Sequence, residues 1–132
     1  HARGPKTYNG SVKSARVLVV DDEGQIIEIV QRALAQRGHL ATGADCAEAA
    51  ESALCAASFD LVLLDHVLPG ATGMQALGKL RALTKAPIHI MSGYTGDDTQ
   101  KDVLLLGAAG FLPKPIDLAA LFALIDALPD NP

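Results

Sequence analysis

Five polar side chains follow runs of apolar residues in this sequence. The paired acids Asp21 and Asp22 end one run, and Asp65 ends a later one. Ser92 and Lys114 stand at the ends of two further runs. If these runs are parallel strands, their carboxyl ends meet at one edge of a sheet, where α/β proteins place their ligands. Three acids, a hydroxyl and an ammonium at that edge could bind a divalent cation and accept a phosphoryl group.

The elements that would position these groups follow from the spacing of apolar residues. Continuous apolar runs predict buried strands, and apolar residues three or four apart predict helices. The predicted strands cover residues 16–20, 39–43, 59–64, 87–91 and 110–113, and the predicted helices begin near residues 25, 45, 72, 95 and 117. Five alternations of strand and helix predict right-handed crossovers and a parallel sheet with helices on both faces.

Several predicted helices begin with a capping signal. A capping box pairs an N-cap side chain with an acid or amide three residues later. The sequence predicts such boxes at Asp45 with Glu48, Thr72 with Gln75, and Thr95 with Asp98. Asp117 is predicted to cap the last helix.

Length and composition bound the class of protein. The 132 residues suit one domain with a real core. A formal net charge of -4 without a basic patch argues against nucleic acid as a partner. No apolar run approaches the roughly 20 residues that span a bilayer, and no signal peptide is evident, so a cytoplasmic location without membrane contact is expected.

The cysteines and histidines give little sign of chemistry. Cys46 and Cys55 lack the spacing of a metal or redox motif, and both are expected to be buried as small apolar side chains. Among the histidines only His66, beside Asp65, is a candidate for a functional role, and a solvated loop position is the simpler explanation for it.

The polar groups in their order along the chain resemble the receiver domain of two-component signalling. The resemblance rests on four features: the acidic pair, the run Leu-Asp-x-x-Leu-Pro-Gly-x-x-Gly-Met around Asp65, the hydroxyl of Ser92 and the Lys-Pro pair at Lys114. It implies a flavodoxin-like three-layer sandwich with five helices and a five-stranded parallel sheet of order 2-1-3-4-5. Residues 15–128 would form the receiver domain, with a flexible tail or linker at 1–14 and a C-terminal tail at 129–132.

The same resemblance implies a phosphoacceptor and a metal site. Asp65 would be the phosphoacceptor, and it would hold Mg²⁺ together with Asp21 and Asp22. Val67 would contribute its backbone carbonyl to the metal. The residues themselves leave a second interpretation of Asp21 open, in which it caps the first helix.

Three further residues acquire roles from the resemblance. Ser92 would bond the phosphoryl group and Lys114 would pair with it, and the Lys114-Pro115 bond is expected to be cis. Ser92 and Phe111 would form the switch that responds to phosphorylation. Phe111 in a strand interior is also explained by the core alone.

The implied function is phosphoryl transfer from a phosphohistidine of a histidine kinase or histidine phosphotransfer domain to Asp65. The domain would catalyse its own phosphorylation and dephosphorylation. The Met-Ser-Gly-Tyr run at 91–94 resembles receivers fused to sensor kinases, and some fifteen residues precede the first strand. Both features favour the C-terminal receiver of a hybrid histidine kinase. A single-domain or truncated response regulator is the alternative, and the sequence leaves open whether the domain forms a homodimer.

Other functions fit the residues less well. A Mg²⁺-dependent phosphatase with an aspartate nucleophile would need an acid two residues after Asp65, where this chain has Val67. A receiver-like domain that signals without phosphate would not need the full set of polar groups. No P-loop or dinucleotide-binding glycine motif follows any predicted strand.

Overall fold

The computed structural model describes residues 14–93 and 107–129, which form a parallel sheet between layers of helices. The elements in chain order are β1 (Arg16–Val20), α1 (Gly24–Ala35), β2 (Leu40–Ala44), α2 (Ala47–Ala56), β3 (Leu61–Asp65), β4 (Val67–Leu68), β5 (Ala71–Thr72), α3 (Gly73–Arg81), β6 (Ile88–Ser92), β7 (Gly110–Pro113) and α4 (Leu118–Asp126). The helix predicted from residue 95 to 106 lies outside the described residues.

The main sheet has five parallel strands in the order β2-β1-β3-β6-β7. This is the predicted order 2-1-3-4-5, because β4 and β5 form a separate antiparallel pair. Val20 lies opposite Leu64, Asp65 opposite Met91, and Ser92 opposite Pro113. The register therefore aligns the carboxyl ends of the central strands, as the predicted site requires.

Hydrophobic cores on both faces of the sheet explain why its strands are apolar throughout. Leu18 and Val62 pack on the face covered by α2 and α3, together with Leu77. Their neighbours Val17 and Leu63 pack on the face covered by α1 and α4. Successive strand residues point to opposite faces, so both sets must be apolar.

The capping predictions have mixed outcomes. Thr72 and Gln75 form the predicted capping box at α3, and Asp117 Oδ1 accepts a hydrogen bond from Ala119 N at α4. The box predicted at Asp45 is wrong, since α2 begins at Ala47 and has Cys46 as its N-cap, without a side-chain capping bond.

The reason for the shift at α2 lies in the preceding strand. β2 pairs with β1 as far as Ala44, so Asp45 carries the chain out of the sheet and the N-cap position falls one residue later. The burial prediction also fails for Cys55, which is exposed because the inner stripe of α2 consists of Ala47, Ala50 and Leu54. Cys46 is half-buried.

No helix within residues 14–93 and 107–129 combines the length and apolar character that crossing a membrane requires.

Candidate functional site

The predicted polar residues surround an open pocket of about 550 Å³ at the carboxyl edge of the sheet. The pocket is lined by Asp22, Glu23, Asp65, His66, Val67, Leu68, Pro69, Ser92, Gly93 and Lys114. Asp65 and Ser92 reach it as the last residues of β3 and β6. Residues far apart in the chain thus meet at one site because parallel strands end side by side.

Lys114 is the electrostatic centre of the site. Its Nζ lies 2.8 Å from Asp21 Oδ2, 3.3 Å from Asp65 Oδ1 and 3.4 Å from Glu23 Oε1. Burial lowers the pKa of Lys114, but the attraction of Asp21 and Asp65 outweighs burial and holds the pKa above its ordinary value. The ammonium therefore stays charged at neutral pH.

Glu23 is a member of the site that sequence reasoning missed. It follows the acidic pair directly, which was the available signal, but an acid at the start of a helix is usually a solvated residue. Glu23 is the N-cap of α1 and its side chain contacts Lys114. Its place in the site depends on tertiary packing.

Asp21 lies fully buried behind the pocket. Its Oδ1 accepts a hydrogen bond from Glu23 N at 2.8 Å, which is the amide of the N-cap residue and not of α1 itself. Asp21 is therefore not the N-cap of α1. Its Oδ2 accepts no hydrogen bond from the described residues, and the contact with Lys114 Nζ is an ion pair outside hydrogen-bond geometry.

The carboxylate of Asp65 is held in a partly desolvated position. Val67 N donates to Asp65 Oδ1 at 3.4 Å, and Lys114 Nζ contacts the same oxygen. Burial raises the pKa of Asp65, and repulsion from Asp21 raises it further, while Lys114 partly opposes both effects. A bound cation would stabilise the negative charge of Asp65, which is unfavourable in the free protein.

The residues fit a divalent cation. Carboxylate oxygens of Asp21, Asp22 and Asp65 lie within 4.8 Å of one another. Among the described residues Asp21 Oδ2 has an ion pair with Lys114 Nζ but no hydrogen bond, which suits an oxygen that completes its contacts with a metal. Asp22 is exposed and lines the pocket, so the cluster is open to water, several molecules of which Mg²⁺ usually keeps.

Comparison with known protein families agrees with this geometry. The family model described as the response regulator receiver domain matches residues 17–126. The chain belongs to this family. The predicted family is thereby confirmed, and the order of the parallel sheet confirms its flavodoxin-like fold.

Curated relatives of this receiver domain include two bacterial regulators. The transcriptional activator protein PfeR of Pseudomonas aeruginosa is 35% identical over 118 residues, which cover 89% of this chain and 39% of PfeR. The transcriptional regulatory protein TcrA of Mycobacterium tuberculosis is 34% identical over 127 residues, which cover 96% of this chain and 50% of TcrA. The receiver domain thus spans half or less of the length of these relatives.

Solved structures share the fold of this receiver domain. The chemotaxis protein CheY4 of Vibrio cholerae has a TM-score of 0.80 and 25% identity, covering 88% of this chain and 99% of that protein. A two-component response regulator from Clostridium difficile has a TM-score of 0.83 and 24% identity, covering 86% of this chain and 94% of that one.

Two remaining predicted residues of the receiver domain occupy different surroundings. Ser92 is buried and lines the pocket, and its carbonyl oxygen accepts a hydrogen bond from Lys114 N at 2.9 Å. Phe111 lies beside Ile90 on the neighbouring strand, is half-buried and packs against the core on the α2 and α3 face. Phe111 is not among the pocket-lining residues, so a switch role would act through the core.

The two residues that follow Asp65 also line the pocket. His66 is half-buried there, and its backbone N donates to Met91 O at 2.8 Å. Val67 is 68% exposed and begins the short β4 strand. The Lys114-Pro115 peptide bond is cis, as predicted.

Proposed function

We propose that this receiver domain accepts a phosphoryl group on Asp65 from a phosphohistidine, in a reaction that requires Mg²⁺. The observation that carries the proposal is the position of the Asp65 carboxylate at the end of β3, within 4.8 Å of the acids Asp21 and Asp22 and 3.3 Å from the ammonium of Lys114. This arrangement combines a nucleophile, a cation site and a fixed positive charge in one open pocket.

The proposed transfer forms one bond and breaks one. An oxygen of the Asp65 carboxylate attacks phosphorus, the phosphorus–nitrogen bond of the phosphohistidine breaks, and the histidine nitrogen keeps the electron pair and takes up a proton. Because an anion approaches an anion, positioning and charge neutralisation supply most of the catalysis. Bound Mg²⁺ would supply further positive charge next to the phosphoryl oxygens.

The residues around Asp65 divide the remaining tasks. Asp21, Asp22 and Asp65 would hold the metal, with the backbone carbonyl of Val67 as a further ligand. Lys114 would pair with a phosphoryl oxygen, since its Nζ already contacts Asp65 Oδ1.

The proposed switch begins at the same phosphoryl group. Ser92 would donate its hydroxyl to a phosphoryl oxygen, because it is buried at the pocket wall. Phe111 would respond by repacking against the core on the α2 and α3 face, where it is half-buried before phosphorylation.

The phosphoryl donor and the parent chain are also proposals. A histidine kinase or a histidine phosphotransfer domain would supply the phosphohistidine in the cytoplasm. The curated relatives named above are transcriptional regulators, which supports a response regulator rather than a hybrid histidine kinase as the parent chain. Phosphoryl transfer from a panel of autophosphorylated kinases of the same genome would identify the partner.

The phosphoacceptor can be tested directly. Radiolabelled acetyl phosphate and Mg²⁺ should label the wild type and leave Asp65→Asn unlabelled. Asp45→Asn is the matched control, because Asp45 is exposed and precedes α2 outside the pocket, and it should be labelled like the wild type. Equal labelling of Asp65→Asn would contradict the proposal.

The metal site has its own test. Removing the Asp22 carboxylate takes away one of three clustered negative charges, so Asp22→Ala should bind Mg²⁺ clearly more weakly in a calorimetric titration. An unchanged dissociation constant would place the metal elsewhere.

A further inference from the structure

The contacts of Lys114 assign a role to Glu23 that goes beyond the proposed metal site. In this structure Nζ of Lys114 lies within 3.4 Å of three carboxylates, those of Asp21, Asp65 and Glu23. A phosphoryl oxygen that pairs with Lys114 must therefore compete with these acids for the ammonium.

The three carboxylates differ in their freedom to move. Asp21 is fully buried, and Glu23 N fixes its Oδ1 at 2.8 Å. Asp65 is buried at the end of β3 and would itself carry the phosphoryl group. The side chain of Glu23 is 62% exposed, and its 3.4 Å contact is the longest of the three. Glu23 can turn into solvent without breaking a buried contact.

We propose that Glu23 is a positioning residue that competes with the phosphoryl oxygens for Lys114 and so favours the unphosphorylated state. This inference rests on the proposed function of Asp65. In the free protein Glu23 shares the ammonium with Asp65, at 3.4 Å and 3.3 Å respectively. On phosphorylation the negative charge moves outward from the Asp65 carboxylate, and Lys114 follows it and leaves Glu23.

The backbone and the side chain of Glu23 act separately, which makes the inference testable by substitution. The amide of residue 23 anchors Asp21, and any side chain leaves that amide in place. Glu23→Gln removes the charge at nearly constant shape. Glu23→Asp keeps a negative charge at the mouth of the pocket but is one methylene shorter, so it no longer reaches Lys114 at the present distance.

The test measures binding of beryllofluoride, an analogue of the phosphoryl group, at saturating Mg²⁺. Both Glu23→Gln and Glu23→Asp should bind it more tightly than the wild type, by about two- to fivefold, which corresponds to loss of one exposed ion pair. Glu28→Gln is the control, because Glu28 is an exposed acid on α1 that pairs with Arg32 and lies outside the pocket lining. Its affinity for beryllofluoride should equal that of the wild type.

A metal-free measurement reports on the position of Lys114 itself. The ammonium protons should exchange with water faster in both Glu23 variants than in the wild type, as seen by nitrogen-15 NMR of the lysine side chain. Loss of a merely structural contact would not change the affinity for beryllofluoride and this exchange rate together.

Each outcome decides between defined explanations. Unchanged or weaker beryllofluoride binding in either Glu23 variant would overturn the competition. Tighter binding of Glu23→Gln with Glu23→Asp equal to the wild type would also overturn it, since charge repulsion alone would then explain the effect. Failure of the wild type to bind beryllofluoride would instead contradict the proposed function of Asp65.

Discussion

The imidazole ring of His89 occupies the space that a side chain at Gly110 would need. The two residues lie opposite each other on β6 and β7. A Cβ atom built on Gly110 would lie 2.7 Å from both Cε1 and Nδ1 of the ring. Residue 110 at the edge of the sheet must therefore be glycine because the ring of His89 leaves no room for a larger side chain.

Gly110→Ala should destabilise the protein by about 1–3 kcal/mol, the usual cost of overpacking a filled site. The added methyl group would force the ring of His89 or strand β7 to shift. Gly78→Ala on α3 is the matched control, since its Cβ meets nothing within 4 Å. It should raise stability by about 0.5–1 kcal/mol because alanine suits a helix interior. Chemical denaturation gives both values; a neutral Gly110→Ala would show that the ring moves freely.

Protonation of His89 should lower the free energy of unfolding in mild acid. Burial lowers the pKa of His89 below its ordinary value of 6.5, so the folded protein binds a proton at this site less readily than the unfolded chain. The neutral ring contributes its full stability above pH 6.5, and that contribution is lost as the pH falls from there through the lowered pKa. His89→Gln should therefore lose less stability than the wild type over this range. NMR titration of the ring should give a midpoint below 6.5, and one at or above it would contradict the prediction.

Asp65→Asn should stabilise the metal-free protein at neutral pH. Burial and repulsion from Asp21 raise the pKa of Asp65, so the charged carboxylate destabilises the folded protein at pH values above that pKa. The advantage of the variant should shrink as the pH falls through the pKa, because the wild-type carboxylate then becomes neutral. Thermal unfolding without metal measures the effect, with Asp45→Asn as the control of equal charge change. Added Mg²⁺ should raise the melting temperature of the wild type more than that of Asp65→Asn.

Val67→Asn should shorten the lifetime of the proposed aspartyl phosphate several-fold. Val67 lines the pocket, and its apolar side chain offers a water molecule no group to orient it. Because Val67 is 68% exposed, its substitution leaves the core intact. An amide there could position the attacking water, and a barrier lower by about 1.4 kcal/mol means a tenfold faster reaction. Loss of radiolabel at fixed Mg²⁺ measures the lifetime.

Val67→Ala separates the two properties of the valine. It removes part of the apolar wall without adding a polar group, and its phosphorylated lifetime should stay close to that of the wild type. A lifetime in Val67→Asn equal to or longer than in the wild type would refute the water-positioning argument.

Much of the fold and most of the site could be predicted from the sequence, because both depend on local patterns. Apolar runs gave the five main strands, and the polar residues at their ends mark the pocket. The contact of Glu23 with Lys114 could not be predicted, since it joins residues 91 positions apart through tertiary packing.

Local signals also failed where they were short or ambiguous. The β4 and β5 strands have two residues each, too few to show a period, although the Pro69-Gly70 pair between them indicates a turn and Gly70 has the positive φ of one. At Asp45 the capping pattern was present, but the extent of strand β2 decided where the helix begins. Asp21 resembled a helix cap, and its burial behind the pocket became evident only when the strands were assembled.

The hydrogen bond from Lys114 N to Ser92 O joins the two groups expected to hold the phosphoryl oxygens. Because this bond joins the two main chains, it fixes the end of β6 relative to the residue that follows β7. A backbone shift at Ser92 therefore also moves Lys114, and the reverse. Substitutions at Ser92 and Lys114 should thus be non-additive, as expected for neighbours that share a common support. The hydroxyl of Ser92 and the ammonium of Lys114 would thus already be in position, relative to each other, when the phosphoryl group arrives.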